Sequence, residues 1–97
     1  MFFSFSSKVF KYKTEKTSWY FAKLPLDIGV EIKSSKKSKI GFGSIRVIAI
    51  INQTQWQTSI FPDSKSGSYL LPLKAEVREK NDITEGSIID IGIEIIH

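Results

Sequence analysis

Few residues in this chain have the chemistry of a catalyst. The single histidine, His97, is the last residue. A terminal imidazole has little to hold it in place, which argues against a Ser-His-Asp triad and against a histidine-centred metal site. Cysteine is absent, so disulfides and thiolate metal sites are excluded. No GxxxxGK[ST] phosphate loop occurs. The "GFG" of Gly41 to Gly43 is too short for a nucleotide fingerprint and reads as strand entry. What remains is "WQTSIFPD", Trp56 to Asp63, together with three cations, Arg46, Lys74 and Arg78.

Each of these residues has a specific chemistry on offer. Trp56 can stack on a ligand or serve as a core or rim aromatic. Ser59 and Lys74 are the types used in a Ser–Lys nucleophile pair, although nothing in their spacing brings them together. Asp63 suits an Asx bond that opens a turn. Arg46 interrupts a hydrophobic strand at what reads as a core-facing place. A charge there needs a partner, with Glu76 or Asp63 available, or an opening to water. Lys74 and Arg78 follow Pro72, where a helix N-terminus attracts anions. The expected ligand-binding residues are therefore Arg46, Trp56, Ser59, Lys74 and Arg78. No catalytic residue, metal or cofactor is expected.

Ninety-seven residues suit one domain, 1–97. At this length roughly 65% of the unfolded chain's surface can be buried, enough for a core without staples. The 41% hydrophobic and 25% charged residues are those of an ordinary soluble globular protein. The opening "MFFSFSSKVFKYK" does not read as a signal peptide, because Ser and Lys interrupt any apolar core. The apolar run from Val47 to Ile51 is too short to cross a bilayer. A cytoplasmic protein without a membrane partner is expected. The net charge is +4, and many of the lysines sit at Lys8 to Lys16 and at "KSSKKSK", Lys33 to Lys39. These are either solvated strand ends and a loop, or a surface for an anionic or nucleic-acid partner. Single-strand binders interleave aromatics with basic groups, and the 33–39 run has no aromatic.

The elements that must position these residues follow from pattern. Phe2 to Lys13, rich in aromatics and β-branched residues, predicts a strand, and Thr14 to Thr17 a turn. Ser18 to Leu24 is the returning strand of a hairpin. Pro25 ends it and suits a helix's first turn. The i, i+4 pairs Leu26/Val30 and Ile28/Ile32 give a short helix with a broad apolar face. Gly41 to Ile51 is the clearest strand. "NQTQ" turns into the strand Trp56 to Phe61, which Pro62 ends. "DSKSGS" turns into Ser68 to Leu71, which Pro72 breaks. A second short helix carries Leu73 and Val77 on one face and a Glu76–Lys80 pair. Gly86 to Ile96 is the last strand, with Ser87, Ile89, Ile91, Ile93 and Ile95 on one face.

The chain also repeats itself. When Pro25 is aligned with Pro72, five of ten positions agree between Leu24–Lys33 and Leu71–Lys80. Further on, Gly43-Ser44-Ile45 matches Gly86-Ser87-Ile88. The second copy is four residues shorter, and the difference falls in the lysine loop, where a length change is tolerated. Two ββαβ halves, about 1–51 and 52–97, are thus expected. Neither buries its apolar face alone, so they would close on each other as a pseudo-two-fold barrel without exposed edges.

The ordered motifs "GFGSIRV", "WQTSIFPD" and "YLLPLKAEVR", followed by a Gly-led final strand, resemble the bacterial family called domain of unknown function nineteen-oh-five. The likeness covers nearly the whole chain. It implies a double-split β-barrel, mainly β with two short helices, distantly like the AbrB/MazE-type transition-state regulators, in which two short chains build one barrel. Some longer members of the family carry a second domain resembling bacteriocin-protection proteins, and none is expected in these residues. The family's activity is unknown, so the resemblance supplies no site residues.

The reading that best fits these residues is a non-catalytic module. It would bind a small anionic ligand or a protein through the "WQTSIFPD" hairpin and the second helix. The alternative is a DNA-binding regulator of the transition-state-regulator type, which rests on fold analogy alone. Enzymatic activity is left open, with Ser59 as its only nucleophile candidate.

Overall fold

The computed structural model describes residues 1–35 and 43–96. Its elements are β1 (Phe2–Lys13), β2 (Ser18–Lys23), α1 (Leu26–Ser35), β3 (Ile45–Ile51), β4 (Thr54–Asp63), β5 (Ser68–Pro72), α2 (Ala75–Lys80) and β6 (Ile88–Ile95). The six strands form a closed barrel in the order β1-β2-β5-β4-β3-β6, and every pairing is antiparallel. The ring closes, but its pairings are partial: β4 pairs with β3 over Thr54–Ile60 and with β5 only over Phe61–Asp63, and β1 divides in the same way between β6 (Phe2–Lys8) and β2 (Val9–Lys13).

The period-two patterns set which side chains enter the barrel. Ile45, Val47, Ala49 and Ile51 of β3 are buried, as are Ile91 and Ile93 of β6, Ile60 of β4, and Tyr69 and Leu71 of β5. Val9 and Ala22 come from the first hairpin, and Leu24, Ile32, Leu73 and Val77 from the joints and helices. Each fully buried Leu, Ile or Val contributes roughly 1.5–3 kcal/mol relative to exposure. In α1 the inward face is Ile28, Gly29 and Ile32. Leu26 and Val30, the other apolar pair, face solvent.

Exchanging β1, β2 and β3 with β4, β5 and β6 leaves every neighbour relation of the ring intact. The hydrogen bonds at the two joints obey the same exchange. Leu24 N–H donates to the Tyr69 carbonyl at 3.0 Å, and Leu73 N–H donates to the Tyr20 carbonyl at 2.9 Å. Tyr20 thus corresponds to Tyr69, Leu24 to Leu73, Ile28 to Val77 and Gly29 to Arg78.

This correspondence corrects the alignment of the two Leu-Pro pairs. Pro25 lies between β2 and α1, whereas Pro72 is the final residue of β5, in register with Phe21. Nor does Pro62 end its strand, since it lies within β4 opposite Tyr69. Both prolines sit where a missing N–H costs no ladder bond. The amide of Pro72 would have pointed at β4, whose register with β5 stops at Phe61–Leu70. That of Pro62 would have pointed at β3, whose register with β4 begins at Ile60.

The turns follow their sequence signals. Asp63 Oδ2 accepts from the Ser66 amide at 3.3 Å, and Gly67 N–H closes on the Asp63 carbonyl. The Ser66 side chain is the largest cause that holds the Asp63 carboxyl below its ordinary pKa; desolvation, next in size, opposes it, and the amides of Ser66 and Lys65 and the charge of Lys23 add to the lowering. In the first hairpin Thr14 has this role, its hydroxyl oxygen accepting from Thr17 N–H at 3.1 Å. The turn expected over "NQTQ" is shorter. Asn52 and Gln53 alone form it, and Asn52 takes φ 54°. Residues 36–42, which include most of the lysine loop and the start of the expected Gly41 strand, lie outside the described residues, as does His97.

Candidate functional site

The joint after β5 opens a groove of about 280 Å³ between β2, β4 and α2. Trp19 and Tyr20 reach it from β2, Trp56 to Thr58 from β4, and Pro72 to Ala75 with Arg78 from the joint and helix. Trp56 shares the inward face of β4 with Thr58 and the buried Ile60. It packs on the core with one part and lines the groove with another.

Arg78 is the fixed charge of this groove. Its guanidinium lies 3.9 Å from the centroid of the Tyr20 ring, and its Nε donates to the Leu73 carbonyl at 3.0 Å. Stacking on the ring and bonding through Nε leave the terminal nitrogens with no carboxylate partner among the described residues. A second cation, Lys11, has its ammonium 5.7 Å from the same ring centroid. Lys74 stands at the rim, 3.8 Å from Glu76, which also faces Lys80 at 3.6 Å. These two pairs are exposed and contribute little to stability. The groove therefore combines aromatic faces with Arg78, a cation that no carboxylate pairs among the described residues, and with Lys74, which shares Glu76 with Lys80.

The fold brings together three of the five expected residues: Trp56, Lys74 and Arg78 line this groove. Arg46 and Ser59 do not. They are opposite each other in the β3–β4 ladder, and Arg46 donates to the Ser59 hydroxyl at 3.3 Å and to Gln57 Oε1 at 3.4 Å. The expectation that Arg46 faces the core is wrong. Its neighbours Ile45 and Val47 point inward, so Arg46 points out to solvent. It makes no ion pair with Glu76 or Asp63. The cause is register. Arg46 is opposite Ser59, and the matching place in the other half, opposite Lys8, is held by Ile88, 75% exposed. The "GSI" match is one residue out of step with the paired strands, and a one-residue slip turns every side chain to the other face.

Trp19 and Tyr20, which line the groove, and Lys11 beside the Tyr20 ring were not among the expected site residues. Their signal was present in the alternation of aromatic residues and lysine at Phe10 to Lys13 and in the aromatic returning strand. The joint that pairs Tyr20 with α2 comes only from the closed topology. Among the described residues no group of His, Asp or Glu has the geometry to hold a metal ion.

Fold and site define a small, closed, six-stranded barrel domain with a lateral aromatic and basic groove. The chain belongs to the family described as Domain of unknown function (DUF1905), whose model matches residues 5–93. No curated protein matches it.

Proposed function

We propose that this domain is a non-catalytic binding module whose groove takes a small anionic ligand with a planar apolar part. The observation that carries this reading is Arg78, held in place by a ring and a backbone carbonyl rather than by a carboxylate. An arginine positioned in this way presents a planar fork of donors suited to carboxylate or phosphate. Trp56 and Trp19 supply faces on which a flat group stacks. Lys11, beside the Tyr20 ring, adds positive potential, and Lys74 adds less because Glu76 pairs with it. A nucleophile is not part of this picture, because Ser59 lies outside the groove with its hydroxyl bonded to Arg46.

The two ββαβ halves are read here as an internal duplication. Its support is the exchangeable strand order and the paired joint hydrogen bonds, rather than the Leu-Pro match. On this view the groove is a specialisation of one of two once-equivalent joints.

The test is native mass spectrometry of the purified protein for a retained ligand, followed by titration with small phosphates and aromatic carboxylates monitored by tryptophan fluorescence. Arg78→Ala is expected to weaken the best ligand at least tenfold, Arg78→Lys to restore little, and Arg46→Ala to change nothing. Unchanged affinity in Arg78→Ala would sink the assignment.

A further inference from the structure

The outer face of the first hairpin is a separate feature, and the groove does not account for it. Tyr12 of β1 is directly opposite Trp19 of β2, and Phe10 is directly opposite Phe21. Tyr12 is 60% exposed and Trp19 52%. Phe10 and Phe21 are half-buried, with ring centroids 5.7 Å apart and planes tilted by 33°. Two rows of aromatic rings therefore cross the sheet on its solvent side.

Charge surrounds these rows. Residues 1–23 hold five lysines against one acidic residue, Glu15, and the other residues of the chain balance at nine basic and nine acidic. The whole net charge of +4 is thus carried by this hairpin. Lys8 and Lys23 are exposed at one end of the rows, and Lys13 and Lys16 at the other. None of these four lysines pairs with a carboxylate among the described residues.

We propose that this face binds single-stranded nucleic acid, with bases stacked on the aromatic rows and phosphates drawn to the flanking lysines. Rows on a strand are two residues, about 6.8 Å, apart. That is roughly twice the 3.4 Å rise per nucleotide along one strand of a duplex. A strand can set one base on each row only when its bases are unstacked from one another, so duplexes are excluded and single strands accepted. Every base has a face to stack, so sequence preference is weak. The face meets the groove only at Trp19, and the proposal stands independently of what the groove binds.

The test is fluorescence anisotropy with labelled oligo(dT), oligo(U) and a duplex of the same length, alongside phosphatidylserine vesicles, using the full chain. Single strands are expected to bind at least tenfold tighter than the duplex, with affinity falling as salt rises by about 0.7 log units per log unit of salt for each phosphate engaged. Tyr12→Ala and Trp19→Ala are each expected to weaken single-strand binding by roughly tenfold or more, the size of one stacking contact. Both side chains are exposed, so an unchanged melting curve will accompany the loss. Arg78→Ala is expected to leave oligonucleotide affinity within about twofold, which separates this surface from the groove. Equal binding of the duplex, vesicle binding without oligonucleotide binding, or wild-type affinity in both aromatic variants would each overturn the proposal.

Discussion

The two joints of the barrel occupy matching places and have been finished differently. After β2, α1 settles closely onto β5. A Cβ added at Gly29 would overlap Ser68 Oγ, so helix and strand are in direct contact there. Ser68 is buried, and its hydroxyl donates to the Pro25 carbonyl at 3.3 Å. After β5, the residue corresponding to Gly29 is Arg78, and the one corresponding to Ser68 is Trp19. Two small residues close the first joint. Two large ones, one charged and one aromatic, hold the second open. Even the shared cation–ring theme differs, since Lys33 reaches only to 5.9 Å from the Tyr69 ring whereas Arg78 lies 3.9 Å from that of Tyr20. Matching backbone positions thus give a packed seam in one half and a groove in the other, and side-chain volume decides which.

The largest effect is expected where the halves share a residue pair. Leu71 is fully buried opposite Ala22, and Leu71→Ala should lower unfolding free energy in urea by about 2–5 kcal/mol. It should weaken both joints together. Loss of ligand binding with full stability would show that the joints are uncoupled from the core.

Next comes the close contact itself. Gly29→Ala gains about 1 kcal/mol of helix propensity, yet its methyl would overlap Ser68. The expected net result is destabilisation of about 1–3 kcal/mol by overpacking. Ser68→Ala should not rescue it, because Ser68 Cβ and Cα stand 2.8 and 2.9 Å from the added atom. A stabilised Gly29→Ala would mean that the first joint is as open as the second.

Arg78→Ala probes the open joint. Loss of the ring contact should cost about 0.5–2 kcal/mol of stability, a smaller penalty than at the closed joint, while the effect on ligand binding is large. A stability loss matching that of Gly29→Ala would make Arg78 chiefly structural.

The smallest effect separates the two hairpin turns. Asp63 has its pKa lowered in the folded state, so its contribution is full above the ordinary carboxylate range. It is lost as pH falls from about 4 through the folded value. Asp63→Asn should flatten this part of the acid limb in pH-dependent melts. Thr14→Ala, at the neutral turn, should lower stability equally at pH 3 and pH 7.

Much of the fold was legible because local signals agreed with one another. The β-branched density of Ile45 to Ile51, the alternation of Ile89 to Ile95, and the Asp-Ser-Gly turn signal at Asp63 to Gly67 each point to the element observed there. Pro62 was misread as a strand end because a missing N–H matters only if a neighbouring strand would have used it, and neighbours are a tertiary fact. Arg46 was misread for a related reason. Its facing depends on register, and the sequence match that set the register was out of step by one residue. Trp56, Lys74 and Arg78 were found as types and then gathered by topology. Lys11, Trp19 and Tyr20 were passed over because the groove they complete joins strands far apart in the chain.

By itself the sequence determined the order of strands and helices, the apolar faces that must be covered, the lack of cysteine chemistry and the concentration of charge in the first hairpin. These depend on local periodicity and composition, which need no knowledge of partners. Only the tertiary structure decided which strands neighbour one another, which side of β3 Arg46 occupies, and that Gly29 meets Ser68 while Arg78 meets Tyr20. Those outcomes depend on barrel closure, and closure sets in contact residues that no local pattern relates.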